Sequence, residues 1–214
     1  MGLSFLSVAV GLLLWQGMQT WRSVQQVKSY PLCEAHSKQG YLLDTPILFA
    51  AEIGWWQSSL VISRGFLETL TVEQMDAALN HEQAHRYYRD PFWFFWLGWI
   101  CRMTCWLPYT DALWQELLLL RELRADRWAA RSVDPLVLAE TLLLFAQSPA
   151  DAIPYGGVAF NAIAPVDRLE ARIDSLLSDS SAPEPINGYV LLAVCLWSIF
   201  LPLLTLLLHQ SITC

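Results

Sequence analysis

His81 and His85 stand four residues apart, with Glu82 beside the first. On a helix that spacing stacks the two imidazoles one turn apart on a single face, so both reach one cation. The neighbouring carboxylate can hold a water and take its proton, and zinc brings a water's pKa to about 7, where a carboxylate can deprotonate it at neutral pH. The bland alternative is the solvated polar end of a helix, which needs no third ligand. The chemical reading does need one, because a hydrolytic zinc usually keeps three protein ligands and one open position.

Only two further histidines exist, His36 and His209, and both are poorly placed, so a carboxylate must complete the set. The best candidate is Glu122, followed four residues later by Asp126 on the same helical face, with the small Ala125 allowing close approach of another helix. In this arrangement Glu122 ligates zinc and Asp126 accepts a hydrogen bond from a histidine's second nitrogen, which fixes the tautomer. Taken alone, Glu122 and Asp126 among Arg121, Arg124, Arg127 and Arg131 would read as a salt-bridged surface face. The preceding histidine pair reverses that preference.

The elements that must position these residues follow from local signals. Thr71 with Gln74 forms a capping box, predicting a helix that carries His81 to His85. Asp90-Pro91 reads as a cap followed by a first-turn proline, and Pro108 as the end of that helix. Thr110-Asp111 predicts a helix running to about residue 131. Asp134-Pro135 predicts another to about residue 147, and residues 166–177 an amphipathic last one. The apolar runs 46–50 and 60–63 read as strands pairing in a small sheet. The expected fold class is mainly α with a small β-sheet: one compact domain at 25–178, then a Ser/Pro-rich linker at 179–187.

With 55% hydrophobic residues, 15% charged and 11 tryptophans, the chain departs from soluble-domain averages and raises the question of a bilayer. Residues 1–21 and 188–208 carry no charged side chain, and each is about the length of a hydrocarbon core, so both are expected to be transmembrane helices. No positive n-region or small-residue cleavage site marks residues 1–20 as a signal peptide. All 13 Lys and Arg lie between Arg22 and Arg172, which by the positive-inside rule predicts a multi-pass protein of the cell membrane with its catalytic domain in the cytoplasm. If residues 91–108 also crossed, the two halves of the zinc site would be about 30 Å apart. Arg102 interrupts that run, so it is expected to be an interfacial or re-entrant helix touching the lipid bilayer. The five scattered cysteines define no disulfide framework, and a net charge of −7 speaks against a nucleic-acid partner.

Together these residues resemble the membrane-bound zinc metallopeptidases of the BlaR/MecR antirepressor type, and more distantly those of the HtpX type. The likeness spans about residues 44–177. It rests on Ala78-Leu-Asn-His81-Glu82-Gln-Ala-His85 and Glu122-Leu-Arg-Ala-Asp126, with support from residues 63–70, Arg89-Asp90 and Arg168-Leu-Glu-Ala-Arg172-Ile173. It implies a gluzincin fold with His81, His85 and Glu122 as zinc ligands, Glu82 as general base and Asp126 behind them. It also implies a substrate strand added to the edge of the small sheet. Antirepressors commonly have Cys where Ala125 stands, and they carry a penicillin-binding sensor; the sequence ends six residues after Leu208, so no such sensor is expected.

The resulting expectation is a zinc endopeptidase acting on a protein or peptide at the cytoplasmic face, with a transcriptional repressor or a membrane protein as candidate substrate. The alternative is a non-catalytic scaffold binding a regulatory partner. Tyr155, Asn161, Arg168 and Arg172 are candidate oxyanion donors but stay outside the catalytic set, and Asp90 is read as a helix cap rather than a ligand.

Overall fold

The computed structural model describes residues 2–35, 38–148 and 168–178. They contain four strands, β1 (Leu32–Ala35), β2 (Lys38–Leu43), β3 (Ala50–Ile53) and β4 (Ser59–Ser63). The helices are α1 (Gly2–Lys28), α2 (Arg64–Thr69), α3 (Val72–Tyr87), α4 (Asp90–Met103), α5 (Thr110–Ala129), α6 (Pro135–Gln147) and α7 (Leu169–Leu177). The linker at 179–187 and the expected span at 188–208 lie outside the described residues, as do Tyr155 and Asn161.

The sheet runs β1-β2-β4-β3, with β2 and β4 parallel and the outer pairs antiparallel. Alternation along each strand divides its side chains between two cores. Ala50, Leu60 and Ile62 join Phe66 of α2 and Ala78 and Leu79 of α3, while Ala51, Ile53 and Val61 join Val27 of α1. Phe66, Ile62 and Val61 are fully buried, each such side chain stabilising the fold by about 1.5–3 kcal/mol. The start of α2 is pressed on the loop before β3. A Cβ on Gly65 would lie 2.1 Å from the Pro46 carbonyl oxygen, and the Gly65 amide donates to Thr45.

Several local expectations need adjusting. Residues 46–50 are not a strand: Pro46 offers no amide, and β3 starts only at Ala50. β1 and β2 escape the apolar-run criterion because Glu34, Lys38 and Gly40 interrupt them. Asp90 does not cap α4. The N-cap is Arg89 in the left-handed region (φ 54), and Asp90 is buried in the first turn. Likewise Tyr109 (φ 66) precedes α5, and the Thr110 hydroxyl donates to the Thr104 carbonyl instead of capping. The capping box of α3 and the Asp134 cap of α6 form with their side-chain bonds in place.

The expected N-terminal membrane flank is overturned, and with it the arrangement of two flanking spans expected for a multi-pass protein of the cell membrane. No helix among the described residues is long and apolar enough to cross a membrane. α1 has the length, 27 residues, but it continues past Trp21 through Arg22, Ser23, Gln25 and Gln26, and Gln16 sits midway along it. Gln16 is buried: its amide donates to the Phe95 carbonyl, 2.7 Å away, and its oxygen accepts from Arg102. α1 therefore packs on α4 through polar as well as apolar contacts. The apolar run at 91–108 comprises most of α4 and the turn after it, with Phe94, Phe95 and Gly98 buried inside the protein.

Candidate metal centre

α3 and α5 pack against each other, and this contact builds the site. Ala84, Ala125 and Ala129 are fully buried, their small side chains setting a short distance between the helices. The i, i+4 spacings then bring His81 and His85 from one helix to Glu122 and Asp126 on the other. One nitrogen from each of His81 and His85 and one oxygen from Glu122 lie within 4.8 Å of one another. His81 Nε2 is 3.1 Å from His85 Nε2 and 3.3 Å from Glu122 Oε2, and His85 Nε2 is 3.8 Å from Glu122 Oε1. All three residues are buried. Modest shifts would bring these atoms to the roughly 2.0–2.2 Å bond lengths that zinc takes with nitrogen and oxygen.

Both imidazoles turn their other nitrogen to a carboxylate. His81 Nδ1 lies 2.8 Å from Asp126 Oδ1, and His85 Nδ1 lies 2.7 Å from Asp90 Oδ2. Such carboxylate partners fix ring orientation and leave Nε2 for a cation. Asp126 is the partner expected from the sequence; Asp90, expected as a cap, is the one missed. Its signal was present, since a residue five beyond His85, just past the helix end, can fold back on the imidazole.

Arginines hold this carboxylate set. Arg172 of α7 forks onto Asp126 at 2.7 and 2.8 Å and comes within 3.5 Å of Glu122. Arg121 donates to Glu122 Oε1 at 2.6 and 2.9 Å and lies over the Phe94 ring. Arg124 pairs with the other oxygen of Asp90 and stacks on Tyr88. Arg168, at the N-terminus of α7, pairs with the exposed Glu116.

The electrostatics follow from this packing. Burial by itself would lower His81, but Asp126 and then Glu122 outweigh it and push the imidazole up to about 10. His85 is shifted down by burial, assisted by His81 and Arg121. Burial opposes ionisation of Glu122, yet Arg121, His85 and Arg172 hold it well below the usual carboxylate range. Asp126 is likewise lowered, against its burial, chiefly by Arg172. Glu82 behaves differently: burial raises it to about 7, with Glu122 and Glu52 adding to the shift and His81 opposing it. Its Oε2 accepts the backbone amide of Glu52, 3.1 Å away, on strand β3.

The donor set, two imidazoles and a carboxylate each with a fixed partner, suits a tetrahedral cation with one position left open. A group able to move protons near neutrality stands beside it. The chain matches no family model and no curated protein.

Proposed function

We propose that this protein is a zinc-dependent peptidase. The observation that carries the reading is the convergence of His81, His85 and Glu122 within 4.8 Å, with a carboxylate behind each imidazole and Glu82 alongside. Zinc held by these three residues supplies a Lewis acid that polarises a carbonyl and brings water's pKa near 7.

The protein's own residues do the rest. Asp90 bonds His85 Nδ1 at 2.7 Å and Asp126 lies 2.8 Å from His81 Nδ1, so both imidazoles are steered towards the cation and the reorganisation left for binding is small. Glu82, raised to about 7, takes a proton from the attacking water and delivers it to the leaving amine. The amide of Glu52 fixes one oxygen of Glu82 during this transfer. β3 is the last strand of the sheet among the described residues, and an extended substrate reaching its outer edge would pair with the backbone groups that Glu82 does not occupy.

The test is direct. Protein loaded with zinc and freed of excess metal is assayed for bound zinc and for cleavage of an unfolded protein such as casein. Zinc near one equivalent, with cleavage abolished by Glu82→Gln and by chelation, is the expected outcome. Protein that retains no zinc, or cleavage indifferent to Glu82→Gln, overturns the reading.

A further inference from the structure

Glu52 is a further carboxylate at this site, one that adds to the upward shift of Glu82 but belongs neither to the cation's ligand set nor to the groups that move the proton. In the β3–β4 pairing, Ala51 and Ile53 face β4 with their amides, so Ala50 and Glu52 turn their backbone groups to the outer edge, which pairs with no other strand among the described residues. The Glu52 amide meets the Glu82 carboxylate there. Its side chain leaves the sheet on the side of Ala50, which is the side packed on α3.

Only 8% of Glu52 is exposed, and its Oε2 has no hydrogen-bond partner among the described residues. Ser58 serves the carboxylate, but no Lys or Arg forms an ion pair with it among the described residues. All 13 Lys and Arg of the chain are among those residues. The two cations whose fields reach it are engaged elsewhere or solvated: Lys38 donates to the Leu79 carbonyl and to Gln83, and Arg86 is exposed. A buried carboxylate without a counter-ion is costly to ionise, so burial raises the pKa of Glu52, and among the described residues no Lys or Arg is paired with it; a cation brought by a ligand would hold it ionised.

We propose that Glu52 is a substrate-recognition residue, whose carboxylate pairs with a positively charged group on the substrate close to the bond presented to Glu82. The inference rests on the peptidase reading and narrows its substrates to chains carrying a cation at that point. Two sources share this chemistry: the α-ammonium of a substrate's first residue, or an arginine or lysine side chain within it.

The experiment measures binding rather than turnover. The full chain carrying Glu82→Gln is loaded with zinc and titrated calorimetrically with three alanine-rich hexapeptides, all amidated at the C-terminus. One is acetylated with a central arginine, one is acetylated with citrulline in its place, and one has a free N-terminus and citrulline. At least one cationic peptide is expected to bind about tenfold or more tightly than the neutral one, as a desolvated charge-assisted pair requires. That gap is expected to vanish when Glu52→Gln is added. A gap for arginine assigns a side-chain subsite, and a gap for the free amine assigns recognition of a chain end. Equal binding of all three peptides, no binding at millimolar concentration, or a gap that survives Glu52→Gln overturns the proposal. The comparison of arginine with citrulline is made on chains that keep Glu52, so it stands even if Glu52→Gln folds poorly. A charge gap in protein whose wild type cleaves nothing would sink the peptidase reading while leaving cation recognition by Glu52 in place.

Discussion

Replacing Asp90 by alanine separates the orientation of a ligand from the stability of the fold. Asp90 holds His85 Nδ1 at 2.7 Å, and its other oxygen pairs with Arg124. Arg124 has 42% of its side chain exposed and keeps its stacking on Tyr88 at 4.1 Å, so its charge is not stranded when Asp90 is removed. The loss therefore falls mainly on His85, whose ring becomes free to rotate and whose Nδ1 must find another partner. Removing a partner of this kind typically weakens metal binding about 10- to 100-fold, or about 1.4–2.8 kcal/mol. Competition with a chromophoric chelator at pH 7 reads that change, and thermal unfolding in EDTA reads the fold separately. An affinity within twofold of wild type would refute the claim that Asp90 orients His85. A large loss of stability in EDTA would show instead that Asp90 is a structural charge.

Glu82→Gln is expected to keep zinc and fold, because the Gln oxygen can still accept the Glu52 amide, while peptide cleavage falls about 10²–10⁴-fold, measured by kcat. Arg172→Ala leaves Asp126 and Glu122 without their shared buried cation and is expected to destabilise the protein by about 3–5 kcal/mol in urea unfolding. Its pH signature has a definite sign: Arg172 lowers the folded pKa of Asp126, so the associated stability is present above the ordinary value of 3.8 and is lost as pH falls below it. Removing Arg172 should move the acid-unfolding midpoint to higher pH. Gly65→Ala puts a Cβ 2.1 Å from the Pro46 oxygen, and the required backbone shift is expected to lower stability by about 1–3 kcal/mol or more, read as a drop in Tm.

The site residues were legible where their relation is local. His81 and His85, like Glu122 and Asp126, lie four residues apart, just over one helical turn, so helical periodicity alone puts each group on a face. The capping box at Thr71 and Gln74 anchored the first helix in the right phase. Asp90 was misread for the opposite reason. An Asp-Pro pair has a strong local meaning as a cap, and nothing local reveals that Arg89 takes the left-handed position and turns Asp90 inward to His85. The interrupted strands β1 and β2 were hidden too, since their stability comes from pairing with β4 and not from a run of apolar residues.

The sequence by itself determined which polar side chains share a helical face, because residue type and i, i+4 spacing are short-range properties. Tertiary structure decided what lay between distant segments: that α3 and α5 approach closely enough for Glu122 to meet both imidazoles, and that Arg172 neutralises Asp126 from 46 residues away. It also placed Glu52 against Glu82 across 30 residues of chain. Uncharged length suggested a membrane span at the N-terminus, but α1 runs on into polar residues and buries Gln16 against α4. Hydropathy counts residue types along one segment, whereas the partner of each buried polar group is chosen by packing.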